Sequence, residues 1–237
     1  MRINVHAGHN PAGKVACGAV GLINESTENR RVKEEVISQL RELGHTVYDC
    51  TCDNGTGQTD VLQKIVAKCN AHDVDLDVSI HFNSGAGDQA GNDKTTGVEA
   101  YVYSASSAAK SYAEKICQAV ADMGFRNRGV KYSTTLYVLK HTKAPAVLVE
   151  CCFVDDRDDV ELYDYQKMAA AIVYGITGQS VQESQETAPA DPGEETPVGD
   201  PKELYRVQVG AYGVKGNAEA MKARLQAAGF EAIIVKA

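Results

Sequence analysis

The chain has 237 residues, of which 43% are hydrophobic and 24% are charged, and its formal net charge is −8. This composition is typical of a globular protein with one domain of ordinary size and a small appendage. An acidic protein lacks the basic face that nucleic-acid binding requires, and no stretch reaches the ~18 consecutive apolar residues of a membrane helix. We therefore expect no nucleic acid and no membrane among the partners.

The seven cysteines lack the paired C-x-x-C spacing of a zinc ribbon, which favours reduced cytosolic thiols. The sequence passes from Met1 directly into a strand pattern, without the apolar segment of a secretory signal. We expect the protein to be cytoplasmic when it is synthesised and to stay there until something releases it.

Strand and helix patterns alternate over the first 177 residues. The predicted strands cover residues 2–7, 45–51, 76–82, 97–104, 129–131, 136–139 and 145–150. The predicted helices begin near residues 26, 59, 106 and 160. This alternation of strands and helices indicates an α/β fold, with a mostly parallel, twisted sheet flanked by helices on both faces.

The composition changes after residue 177. Residues 178–204 are rich in Pro, Glu, Asp, Ser and Thr, which predicts an acidic, disordered linker. Residues 205–237 then follow the pattern of a strand, a helix and a second strand, which predicts a small β-α-β module. A unit this short buries too little apolar surface to be stable alone, so we expect a homodimer through this module.

Four polar residues stand where the predicted elements begin or end. His9 follows the first strand and Glu25 precedes the first helix, while His81 and Glu150 each end an apolar strand. Open α/β sheets bind their ligands at the carboxyl edge of the strands. Two histidines and a carboxylate bind zinc with one position open, and a further carboxylate can serve as general base. Glu28 is an alternative to Glu25 as the third ligand.

Three more residues are candidates for substrate binding. Asn83 begins a polar, glycine-rich loop over residues 83–96, which is too long to be a simple connection. Glu99 lies on the next strand, and His141 lies shortly before the strand that ends at Glu150. We expect the loop to form a wall of the substrate cleft.

Five segments resemble the zinc-dependent N-acetylmuramoyl-L-alanine amidases, which cut peptidoglycan between the muramyl lactyl group and the stem peptide. In chain order they are VHAGHN (5–10), GAVGLINE (18–25), VSIHFN (78–83), GVEAY (97–101) and LYVLKHTKAPAVLVE (136–150). The resemblance implies one Zn²⁺ held by His9, Glu25 and His81, with Glu150 as the catalytic residue. The family commonly has an acidic or amide residue where this chain has His6.

The tail resembles half of a sporulation-related repeat (SPOR) domain, a module that binds glycan strands stripped of peptides. The two resemblances imply a zinc amidase catalytic domain at 1–177, the linker at 178–204 and a wall-binding or dimerising module at 205–237. Without a signal, the enzyme would reach the cell wall through lysis, which favours a phage or prophage endolysin. Alternatives are a sporulation mother-cell or other autolytic amidase, an inactive peptidoglycan-binding module, and a zinc carboxypeptidase that would cleave free peptides.

Overall fold

A computed structural model describes residues 1–180 and, beyond them, Glu219, Lys222, Ile233 and Ile234. The predicted linker at 178–204 and the predicted module at 205–237 therefore lie almost wholly outside the described residues. The strands are β1 (Arg2–Ala7), β2 (Thr46–Asp49), β3 (Leu76–Asn83), β4 (Val98–Val102), β5 (Asn127–Tyr132) and β6 (Ala146–Phe153). The helices are α1 (Glu25–Glu42), α2 (Gln58–Cys69), α3 (Lys110–Ala121), α4 (Tyr137–His141), α5 (Arg157–Leu162) and α6 (Tyr165–Thr177).

The strands form one sheet in the order β2-β1-β3-β6-β4-β5. Every pair of neighbours is parallel except β4 and β6, which are antiparallel. The predicted α/β class with a mostly parallel sheet is thus confirmed. The one reversed strand matters for the site, because it brings Glu99 of β4 into register with Glu150 of β6.

Helices cover both faces of the sheet, as predicted. Helices α1, α3 and α6 pack in a large core that includes Ile80 and Val149. Helices α2 and α4 pack in a second, smaller core that includes Leu148. Since successive residues of a strand face opposite sides, β6 needs apolar residues on both faces, which explains its near-continuous hydrophobic sequence. Glu150 lies two residues after Leu148 and therefore faces the side of α2 and α4.

Several predicted boundaries were wrong: α3 begins at Lys110 rather than near residue 106, and β6 continues past Glu150 to Phe153. Three further differences have a clear physical reason. The apolar residues at 136–139 predicted a strand but belong to helix α4, because Val138 and Leu139 pack against α2 rather than in the sheet. The helix predicted over 160–176 is divided into α5 and α6, since the side chain of Asp164 caps a new helix by accepting from Gln166 N and Lys167 N. Helix α1 begins at Glu25 itself, because Asn24 is its N-cap.

All seven cysteines are free thiols, and all except Cys17 are buried, in agreement with the expectation of reduced side chains. None of the described helices combines the length and the apolar character that crossing a membrane requires. The core around the sheet thus accounts for most of the cysteines as packing residues.

Candidate functional site

The turn after β1 holds His9 in an unusual backbone conformation. Its φ is 62°, in the left-handed region that non-glycine residues rarely adopt. Two side chains of α1 secure this turn: Asn29 Nδ2 donates to Gly8 O at 3.0 Å, and Arg30 Nη2 donates to His9 O at 2.9 Å. The helix therefore fixes the direction in which the His9 ring points.

Glu25 is buried at the first position of α1. Its Oε2 accepts from Ala19 N at 2.8 Å, and its Oε1 accepts from Phe82 N at 3.2 Å. Its Oε1 also lies 2.9 Å from His81 Nδ1 and 3.4 Å from His9 Nε2. Burial alone would raise the pKa of Glu25, but the hydrogen bonds with His81 and His9 hold it well below its usual range, so the group is a carboxylate.

His9, Glu25 and His81 form a cluster whose potential ligand atoms all lie within 4.8 Å of one another. The two imidazole rings meet edge to face, with centroids 5.0 Å apart. Two imidazoles and one carboxylate are a donor set that suits Zn²⁺ and leaves a fourth position for substrate or water. The residues present therefore fit a zinc ion.

Two glycines leave the space that this cluster occupies. A Cβ at Gly8 would lie 2.0 Å from His81 Cε1, and a Cβ at Gly18 would lie 2.3 Å from Glu25 Oε2. Real Cβ atoms do not approach other atoms this closely, so any larger residue would displace one of the three potential ligands. The backbone is thus shaped around the donor groups.

Glu150 lies beside the cluster on the neighbouring strand, as the register partner of His81. Its Oε2 is buried and has no hydrogen-bond partner among the described residues. Burial raises the pKa of Glu150 to about 8, with a further rise from the nearby carboxylates of Glu25 and Glu99. A carboxyl with a raised pKa and a free oxygen next to a potential metal site is suited to proton transfer.

The alternative ligand Glu28 is not part of the cluster. Its carboxylate accepts from Arg31 Nη1 at 3.0 Å and from Tyr163 OH at 3.0 Å. These partners engage it away from the two histidines, which explains why the structure groups Glu25 with His9 and His81.

Two of the three candidate substrate-binding residues contact each other next to Glu150. Asn83 Nδ2 donates to Glu99 Oε1 at 2.9 Å, and Tyr101 OH donates to the same oxygen at 2.8 Å. The third candidate, His141, lies elsewhere: it is exposed at the end of α4, and its ring packs 4.2 Å from the ring of Tyr137.

A cavity of about 440 Å³ opens beside the cluster. On one side it is lined by His9, His81 and Glu150, and on the other by mostly apolar residues of α2 and α4 and of the segment before α4. These apolar residues are Val61, Leu62, Ile65, Leu136, Tyr137 and Val138. The cleft thus has a polar floor at the sheet edge and an apolar wall of helices.

His6 also lines this cavity, although only 1% of the residue is exposed. Burial, together with the nearby His81, lowers the pKa of His6 to about 3, so the ring is neutral. Its Nδ1 lies 3.5 Å from Ser79 Oγ. His6 therefore packs beneath the site and contributes no charge to it.

The sequence patterns did not single out Asn29, Arg30 or Arg128, although all three support the site. Arg128 Nε donates to Glu99 Oε2 at 2.7 Å. Asn29 stands four residues after Glu25, on the same face of α1, and this spacing is the signal from which its role could have been inferred. Nothing local marks Arg128, because its partner belongs to a different strand.

Residues 3–178 match the family described as N-acetylmuramoyl-L-alanine amidase, and residues 201–237 match the SPOR domain. The chain belongs to the N-acetylmuramoyl-L-alanine amidase family. This amidase family is generally zinc-dependent, in keeping with the donor set formed by His9, Glu25 and His81.

Among curated relatives of this chain, the uncharacterized protein CPE1502 of Clostridium perfringens is 37% identical over 69% of this chain and 47% of its own length. The chain thus spans about half the length of that relative. The protein YqiI of Bacillus subtilis is 34% identical over 73% of this chain and 82% of its own length. Among solved structures, the catalytic domain of the CD27L endolysin targeting Clostridia Difficile is 26% identical, with a TM-score of 0.68 over 76% of this chain and 99% of that one.

Proposed function

We propose that the chain hydrolyses the amide bond between N-acetylmuramic acid and L-alanine in peptidoglycan. The observation that carries this proposal is the cluster of His9, Glu25 and His81 with the unpartnered carboxyl of Glu150 beside it. Membership of the amidase family gives this arrangement a substrate class, and the match to the SPOR domain supports peptidoglycan as the partner of the tail.

In this proposal His9, Glu25 and His81 hold one Zn²⁺. The ion supplies Lewis acidity toward the scissile carbonyl and makes water a better nucleophile near neutral pH. The protein residues keep the donor set in place: the hydrogen bonds from Ala19 and Phe82 fix the Glu25 carboxylate, and α1 fixes the turn that carries His9.

Glu150 acts as the general base and then as the general acid. It takes a proton from the attacking water and delivers a proton to the departing alanine nitrogen, since an amide nitrogen is a poor leaving group unless it is protonated. A bound dication next to the carboxyl would offset the raised pKa of Glu150 and favour its deprotonated form before each turnover.

The biological role that fits best is that of a phage or prophage endolysin, made in the cytoplasm and acting on the cell wall after release. The likeness to the catalytic domain of the CD27L endolysin supports this role. The tail is proposed to bind glycan strands or to join two chains, and measuring the molecular mass in solution with and without residues 205–237 separates these two roles.

The test is digestion of purified peptidoglycan by the zinc-loaded full-length protein, beside a chelator-treated sample, with mass analysis of the soluble products. We expect free stem peptides that begin with alanine, released only in the presence of metal. Intact muropeptides despite bound zinc would indicate a binding module instead. Cleavage of free peptides that lack the muramyl group would indicate a carboxypeptidase.

A further inference from the structure

Four side chains form a row across four neighbouring strands at the site. His81 of β3 and Glu150 of β6 are register partners, and Glu150 is in turn the register partner of Glu99 of β4. Register partners project from the same face of a sheet. Arg128 of β5 extends the row, because its Nε donates to Glu99 Oε2 at 2.7 Å. The row thus leads from the potential metal ligands to a guanidinium.

The guanidinium of Arg128 is held in place, but some of its hydrogen-bond donors are unused. Its carbon lies 5.0 Å from the ring centroid of Phe153, and Glu99 engages only its Nε. Within the part of the chain that the structure describes, its two Nη groups have no hydrogen-bond acceptor. The side chain is 30% exposed, whereas that of Glu99 is 5% exposed. A guanidinium that is held by a buried carboxylate on one side and has unused N–H donors on the other is a preorganised site for a second carboxylate.

The surroundings of Arg128 also favour an anionic ligand on this side of the cleft. Helix α3 packs against β4 and β5 in the large core, on the face opposite to Glu99. On the face of Glu99, the register partners Tyr101 and Lys131 stand next along the two strands, and Lys131 is exposed. The open half of this face therefore presents two cations, whereas the half under α2 and α4 presents an apolar wall.

We propose that Arg128 binds a free carboxylate on the peptide side of the scissile bond, at the residue that follows alanine. This inference rests on the proposed function and adds the direction of the substrate. The stem peptide crosses β4 and β5, and the muramyl group occupies the cavity beside α2 and α4. The distances agree: β5 lies two strand spacings from β6, or ~10 Å. From the scissile nitrogen to the guanidinium, one alanine, the next Cα with its carboxylate and a hydrogen bond together span about 9 Å.

The test compares two soluble substrates, N-acetylmuramoyl-L-alanyl-D-isoglutamate and its isoglutamine amide, which differ only in that carboxylate. With the zinc-loaded full-length protein, we expect a preference for the acid of roughly tenfold or more, chiefly in KM, because a hydrogen-bonded charge pair contributes at least this much. Arg128→Gln is expected to bring the ratio of the two kcat/KM values close to one. Arg128→Lys keeps the charge but loses the forked donors, so its ratio falls between the two.

The control is Arg126→Gln, which removes an exposed positive charge two residues away and is expected to keep the wild-type ratio. If Arg128→Gln fails to fold because Glu99 is left unpaired, the double variant Glu99→Gln/Arg128→Gln removes both charges and gives the same expected ratio of about one. A wild-type ratio near one, or a ratio that Arg128→Gln leaves unchanged, would overturn the proposal.

Binding measurements separate this inference from the proposed function. In an inactive Glu150→Gln background, calorimetry gives the Kd of each compound without hydrolysis. A preference for the acid that disappears with Arg128→Gln supports the role of Arg128, even if the wild type cleaves neither compound. In that case only the proposed reaction is rejected. Cleavage of both compounds with equal Kd values overturns the role of Arg128 alone.

Discussion

At the scale of single residues, Glu150 and His6 show how the fold suppresses charge around the donor cluster. Glu150 has a buried oxygen without a partner and a pKa raised to about 8, while His6 is buried with a pKa lowered to about 3. Both groups are therefore held in their neutral forms at neutral pH in the metal-free protein. Only Glu150 stands where a neighbouring dication would reverse this preference.

Replacing Glu150 with Gln is expected to abolish turnover and leave the protein folded. Loss of the general base lowers kcat by roughly 10²–10⁴-fold, while zinc content stays at the wild-type level because Glu150 is not among the proposed ligands. The raised pKa means that ionising this carboxyl opposes folding increasingly as the pH rises from about 4.5 to about 8.

The metal-free variant is therefore expected to exceed the wild type in free energy of unfolding by up to about 3 kcal/mol at pH 7. Urea denaturation at pH 5 and pH 7 measures this difference, which should be smaller at pH 5. A variant that retains full activity would remove Glu150 from the mechanism.

His6 predicts acid sensitivity of the fold. Its pKa is about 3 in the folded protein and 6.5 for the free side chain, so between these pH values the unfolded chain binds a proton and the folded chain does not. Stability is therefore lost as the pH falls below 6.5, by about 2 kcal/mol between pH 7 and pH 5. His6→Asn should lose less stability over this interval, and parallel losses in urea denaturation would contradict the assignment.

At the scale of elements, α1 organises the site. It supplies Glu25 from its first position, and Asn29 and Arg30 from its next turn hold the backbone of Gly8 and His9. Arg30 also donates to Ser26 O at 3.0 Å and forms an ion pair with Asp53. One helix therefore provides one potential ligand and positions another, so its packing in the core is coupled to the geometry of the site.

Arg30→Lys is expected to weaken zinc binding while the fold is preserved. A lysine can replace one hydrogen bond but not the fork that contacts several acceptors at once, so the strained turn at His9 loses part of its support. Zinc affinity, measured by competition with a chelator, should fall by roughly 10-fold or more. Arg41→Lys is the matched control, because Arg41 also lies on α1 and donates to the carbonyl of Val47 at 2.9 Å, remote from the cluster. Equal affinities for the two variants would contradict a positioning role.

At the scale of the whole molecule, the cluster joins parts of the chain that are distant in sequence. His9 follows β1, Glu25 begins α1 and His81 lies on β3, so an ion bound to all three would link the neighbouring strands β1 and β3 to the main helical layer. A ligand that binds only the folded state raises the free energy of unfolding. Metal binding is thus expected to stabilise the whole described region.

Removing zinc is expected to lower the Tm. At a free zinc concentration 100 times the Kd, binding contributes about 2.7 kcal/mol to the free energy of unfolding, and a chelator removes this contribution. Differential scanning calorimetry of the wild type with and without chelator measures the shift. His9→Ala should show little or no shift, and a shift of wild-type size in this variant would place the ion elsewhere.

Strand and helix patterns alone predicted the class of the fold and the strands that position His9, His81 and Glu150, because β alternation and apolar runs are local signals. The predicted strand ends were too early, since β3 and β6 continue past His81 and Glu150 to Asn83 and Phe153. The helix at 137–141 was missed, since its Tyr, Val and Leu residues suit a strand equally well and only packing against α2 decides. The pair of Glu99 and Arg128 was missed for a different reason. It depends on the pairing of β4 with β5, which no local pattern encodes.

The two separate cores have a consequence for how the proposed activity would change under mutation. The large core holds the sheet to α1, α3 and α6, whereas the smaller one holds α2 and α4, which form the apolar wall of the cavity. Substitutions in the wall disturb few of the contacts that define the sheet edge where the donor groups lie. Substrate preference is thus free to drift on one side of the sheet while the reaction chemistry is conserved, and libraries confined to α2 and α4 are the natural starting point for directed evolution.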